Sequence, residues 1–153
     1  MSDSVVKDVL SRYRNVAVVG LSRDPSKDSY VVAKYLKSVG YKIIPVNPLA
    51  DEILDEKCYP SLLDLPDELK ATIEIVNIFR PSHEVDEIIN QVIEIRRKFG
   101  RPYVVWMQLG IRNDEAAEKA RRNGLIVIQD KCIKIEHSKL QKRQVHLEDS
   151  YRI

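Results

Sequence analysis

The run NVAVV at residues 15–19 has no polar alternation, which is the pattern of a strand buried on both faces of a parallel sheet. KIIPV (42–46), IEIVNIF (73–79), YVVWMQ (103–108) and LIVIQ (125–129) repeat it. Helical periodicity fills much of the rest. Val5, Val6, Val9 and Leu10 share a face of a helix over 3–13. Val32, Ala33, Leu36 and Val39 do so over 29–39, where Gly40 suits the position just past the end. A longer helix is expected over 82–98, with Ser82 as its N-cap and Glu84, Asp86 and Glu87 near the positive end of its dipole. Its stripe is Val85, Ile88, Ile89, Val92, Ile95 and Phe99. Two more helices are expected, at 114–123, stopped by Gly124, and at 131–143. Strands alternating with helices require right-handed crossovers. The expected fold is therefore an α/β, doubly wound, Rossmann-like domain: a five-stranded parallel sheet with helices on both faces. Pro45 lacks a ladder donor, so the second strand belongs near an open edge or ends there. The domain covers 1–143, and 144–153 (QVHLEDSYRI) shows no pattern and reads as a tail or docking arm.

The 153 residues suit one core, and no apolar run approaches the roughly 20 residues of a membrane-spanning helix. The N-terminus lacks the apolar core and cleavage site of a secretory signal. Cys58 and Cys132 match neither a zinc site nor a redox pair, so no metal and a reducing, cytoplasmic setting are expected. A net charge of +2 gives no reason to expect nucleic acid, and no membrane partner is expected either. The basic stretch at Lys139, Lys142 and Arg143 reads as a solvated helix face.

In such a fold, ligands lie beyond the carboxyl ends of the strands. The first turn, Gly20-Leu21-Ser22-Arg23, carries phosphate logic. Gly20 allows close backbone approach, Ser22 offers a hydroxyl, the next helix offers free N–H groups, and Arg23 and Lys27 add charge. The fingerprint G-x-G-x-x-G is missing, however, and a bare βα turn with solvated cations is the plainer alternative. NAD-binding domains commonly place a carboxylate at the end of strand two. Here that place reads Val46-Asn47-Pro48, with no acid before Asp51. That weighs against NAD and permits a phosphorylated ribose. Arg80, between Phe79 and Pro81, either clamps a phosphate or pairs with Glu84 or Asp86. Gln108-Leu109-Gly110 gives a turn able to meet the far part of an extended ligand.

Together, VAVVGLSRDPSKDSYVVAKYLKSVGYKIIPVNP, KCYPSLLDLP, VNIFRPSHEV, VVWMQLGI and GLIVIQDKCIKIEH resemble the stand-alone CoA-binding domain family, similar to the N-terminal domain of the succinyl-CoA synthetase α subunit. The resemblance runs from about Asn15 to Leu140. It implies coenzyme A bound across the strand ends, with the pyrophosphate near Gly20, Leu21, Ser22 and Arg23. Lys27 matches the lysine of the family's P-x-K-x-S turn, with Ser29 nearby. Adenosine would meet Val46, Asn47 and Pro48, with Phe79, Arg80 and Pro81 along the ligand. The pantetheine arm would pass towards Gln108, Leu109, Gly110 and Ile111. Leu21 departs from the smaller residue of many relatives, which narrows the turn.

The comparison tells against independent catalysis, because the phosphorylated histidine of the synthetase belongs to a further domain. His83 and His137 have no evident nucleophile or acid partner in the sequence. Cys132 stands beside Lys131 near an expected helix N-terminus, which favours thiolate and suggests a redox thiol able to exchange with that of CoA. A partly buried structural thiol is the alternative. The favoured reading is a non-catalytic carrier or sensor of CoA or an acyl-CoA. The alternatives are a component of a multi-chain acyl-CoA ligase and a nicotinamide-nucleotide-binding regulator.

Overall fold

The computed structural model describes residues 3–151, with side chains described as far as residue 145. Five strands form one parallel sheet: β1 (Asn15–Val19), β2 (Lys42–Val46), β5 (Ile75–Ile78), β6 (Val104–Met107) and β7 (Ile126–Ile128). Their order is β2-β1-β5-β6-β7, so the chain winds outward from β1 to β2 and then returns to the other side of β1. This is the expected doubly wound sheet, with its topological switch point between β1 and β5. The register aligns Val19 with Val46 on one side and with Ile78 on the other, so these three strands end level.

Alternate residues of the buried strands feed two apolar layers. Ala17, Val19, Val76, Ile78, Val105 and Met107 face α4 (Val85–Phe99) and α5 (Asp114–Arg122). Val16, Val18, Ile75, Val104 and Trp106 face α1 (Asp3–Arg12), α2 (Asp28–Ser38) and α6 (Ile133–Tyr151). Between β2 and β5, the hairpin β3 (Glu52–Ile53) and β4 (Glu56–Lys57) is followed by a 3-10 turn over Leu62–Asp64 and a short helix, α3 (Asp67–Lys70). No periodicity marks these pieces, because strands two residues long carry none.

Pro45 lies on the edge strand, as expected. There the chain after β4 adds a parallel bridge from Tyr59 to Val46, with Tyr59 N donating to Pro45 O at 3.1 Å. Three expectations change. Val39 is 37% exposed and follows α2 rather than joining its buried stripe. Ser82 does not cap α4: a 3-10 turn over Ser82–Glu84 comes first, and the Ser82 hydroxyl accepts from Arg112 N at 3.1 Å instead. α6 continues to Tyr151, past the end at 143 expected for this helix. Among the described residues no helix is long and apolar enough to cross a membrane.

Candidate functional site

At the switch point β1 gives way to Gly20, whose φ is +89°. A Cβ there would stand 2.9 Å from Arg80 Cδ and 3.1 Å from the Phe79 carbonyl, so only glycine lets the two strand ends come so close. The Gly20 amide donates to Val46 O at 2.9 Å, and Phe79 N donates to Val19 O at 2.8 Å, which ties the three ends together.

The turn after Gly20 is tightly braced. Ser29, buried in the first turn of α2, accepts from Ser22 N at 2.9 Å. The Ser22 hydroxyl accepts from Asp24 N at 3.0 Å. The Asp24 carboxylate accepts from the Ser26 amide and hydroxyl at 2.9 and 2.8 Å, which lowers its pKa. Lys27 occupies the N-cap position of α2, where no side chain caps the helix. The α2 amides are therefore left to whatever lies at that end, with the dipole favouring an anion. The formal charges nearby cancel, Arg23 and Lys27 against Asp24 and Asp28. Backbone donors outweigh net charge here.

Asn47 brackets this turn to the loop after β2. Its Nδ2 donates to Leu21 O at 2.9 Å and its Oδ1 accepts from Leu49 N at 2.8 Å. Behind it, Cys58 Sγ donates to Asn47 O at 3.4 Å, and burial raises the pKa of that thiol. A cleft of about 720 Å³ opens between these ends and α4. Of the expected residues it gathers Gly20, Ser22, Val46, Asn47, Pro48 and Arg80. Val19, Leu49, Leu62 and Ile88 supply apolar wall, and Pro60, Ser61, His83, Glu84, Glu87 and Gln91 complete it. Two carboxylates of the lining, Glu84 and Glu87, come from the turn before α4 and from α4 itself. Glu84 is already engaged, since Arg80 Nη2 reaches its two oxygens at 2.9 and 3.0 Å. The spacing Arg80 to Glu84 signalled that pair; no spacing signalled Pro60 or Ser61, which depend on the Tyr59 bridge.

The other expected residues lie outside this cleft. Leu21 points its side chain into the α1–α2–α6 layer. Arg23 reaches Leu49 O at 3.3 Å, Phe79 is half-buried and Pro81 exposed. Beyond β6, Gln108 is buried, Leu109 is exposed, and Ile111 packs on the α4–α5 layer. The Gly110 amide donates to Asp130 Oδ1 at 2.6 Å. Cys132 is a half-buried free thiol just before α6, and its carbonyl accepts from Glu136 N at 3.0 Å. His137 is buried with Nδ1 2.7 Å from the Tyr35 hydroxyl, well inside the α2–α6 packing.

These features define a doubly wound α/β domain with a ligand-sized cleft at its switch point, a class in which ligands sit outside the strand carboxyl ends. The chain belongs to the CoA binding domain family, whose model matches residues 14–138. It is 38% identical over 137 residues to the Bacillus subtilis protein YneT, covering 90% of this chain and 95% of that one. It is 45% identical over 78 residues to the ADP-forming acetate–CoA ligase II of Archaeoglobus fulgidus, covering half of this chain but only 11% of the ligase. A solved structure from Pyrococcus horikoshii OT3 superposes with a TM-score of 0.82 at 38% identity, covering 92% of this chain and 93% of that one.

Proposed function

We propose that the protein binds coenzyme A, or an acyl-CoA, across the ends of β2, β1, β5 and β6, as a non-catalytic carrier or sensor. The observation that carries this is the cleft at the switch point, bounded by the Gly20 turn, Val46-Asn47-Pro48 and Arg80. Its volume of about 720 Å³ lies within the usual range for small-molecule sites. The residues suit the group. Apolar Val46, Pro48, Leu62 and Ile88 give a surface for adenine, and Glu87 and Gln91 give polar partners for its edge. The pyrophosphate would take the α2 N-terminus, with Ser22, Arg23 and Lys27 beside it. Arg80 would exchange its exposed pairing with Glu84 for a phosphate oxygen, a modest loss because exposed ion pairs contribute little.

Calorimetric titration of the ligand-stripped protein with CoA, dephospho-CoA and NAD tests this. CoA binds most tightly and loses affinity without its 3′-phosphate. Binding of NAD alone would overturn the reading. The local match to the Archaeoglobus ligase supports a second reading, in which this chain serves as the CoA-holding component of a larger ligase. Co-purification with a nucleotide-binding ligase subunit would favour it.

A further inference from the structure

In the middle of β5, Asn77 interrupts an apolar strand and is completely buried. Its Nδ2 donates to Gln108 Oε1 at 3.1 Å and lies 3.4 Å from Trp106 O. Gln108 Oε1 also accepts from Ile133 N, the first residue of α6, at 2.9 Å. The polarity of this chain of bonds is set by one group. Ile133 N is a backbone donor and can only donate, so Gln108 must turn its oxygen inward and Asn77 must offer its nitrogen. Two consequences follow. The Asn77 Oδ1 is sealed with no partner among the described residues, an expense that an apolar residue at this place would avoid. The Gln108 Nε2 is left with no acceptor among the described residues, and, unlike the Asn77 Oδ1, it is not sealed, Gln108 keeping 4% of its surface exposed. Gln108 alone would suffice to cap α6. What Asn77 adds is a second lock on the direction of the Gln108 amide.

We infer that Asn77 is a positioning residue, holding Gln108 so that its Nε2 is presented beyond β6 as a hydrogen-bond donor to an amide carbonyl of the pantetheine arm. The inference rests on the CoA reading above. β6 lies two strands from β1, about 10 Å at ordinary strand spacing, within reach of an arm leaving a pyrophosphate on the β1 turn. Pantetheine carries two amide carbonyls, acceptors of the kind this donor lacks.

The test compares CoA with adenosine 3′,5′-bisphosphate, which lacks pantetheine, by calorimetric titration of the wild-type, Asn77→Leu and Gln108→Glu proteins. Asn77→Leu keeps the branching of the side chain, with bulkier methyl groups, and removes the lock. Gln108→Glu keeps the inward acceptor and removes the outward donor. Each variant is expected to bind CoA about five- to tenfold more weakly, while affinity for the bisphosphate stays within about twofold. A purely structural role would move both ligands together, and that result overturns the inference, as does unchanged CoA affinity. If Asn77→Leu does not fold, an unchanged preference for CoA over the bisphosphate in Gln108→Glu overturns it alone. A wild-type protein that binds both ligands equally removes this inference and leaves the adenosine site standing. A wild-type protein that binds neither removes the CoA reading and this inference with it.

Discussion

Gly20 holds the narrowest approach between the end of β1 and the start of the Arg80 turn. Gly20→Ala places a methyl group against Arg80 Cδ and the Phe79 carbonyl at a φ of +89°, so both sterics and backbone oppose it. A loss of about 1–3 kcal/mol is expected in denaturant unfolding, with cleft binding weakened as well. His137 makes a second residue-level prediction. Burial, with a smaller contribution from Arg14, lowers its pKa below the ordinary 6.5. The unfolded chain therefore takes up a proton near 6.5 that the folded chain accepts only at lower pH. Stability is full above 6.5, falls as pH drops from there to the folded pKa, and levels off below it. Unfolding free energies measured from pH 5 to 8 should show this slope, at most about 1.4 kcal/mol per pH unit, and His137→Gln should flatten it. The two thiols should also separate. Cys58 is buried and its pKa raised, whereas Cys132 is half-exposed, so iodoacetamide should alkylate Cys132 first, as mass spectrometry of the native protein would show.

At the scale of elements, Trp106 joins β6 to the loop that leads into α6. Its ring is fully buried and its Nε1 donates to Lys131 O at 2.8 Å. Trp106→Phe keeps most of the packing and loses that bond, and should cost about 1–3 kcal/mol in denaturant unfolding through the stranded carbonyl and the lost ring volume. Elements of this kind were legible beforehand because they obey a period. The strands around Val16–Val19 and Val104–Met107 are apolar without interruption, and the α4 stripe from Val85 to Ile95 follows the helical repeat. The hairpin at Glu52–Lys57 is too short for a period, and its turn places Leu54 and Asp55 at φ values of 54° and 63°, where glycine or asparagine would have advertised it. The site divides the same way. Gly20, Ser22, Val46, Asn47, Pro48 and Arg80 end or follow strands in sequence, so their place along the cleft was legible from that position. Pro60, Ser61 and Glu87 reach the cleft through tertiary packing, and Asn77 reads as a flaw in a strand until Ile133 N is seen beyond Gln108.

For the molecule as a whole, a ligand that binds only the folded state must stabilise it by mass action. At one hundred times its dissociation constant, CoA should add about 2.7 kcal/mol, visible as a rise in Tm that continues with the logarithm of concentration. The single tryptophan, buried in β6, gives an intrinsic fluorescence signal for that transition. The margins of the sheet bear on how such molecules behave when crowded. Along β2 the proline at 45 offers no hydrogen to a newcomer, and Tyr59 already occupies the place beside Val46. β7, at the other margin, is only three residues long. A strand from a neighbouring molecule finds no long open ladder to extend, so concentrated solutions should resist growth of sheets from one molecule to the next for as long as the fold holds.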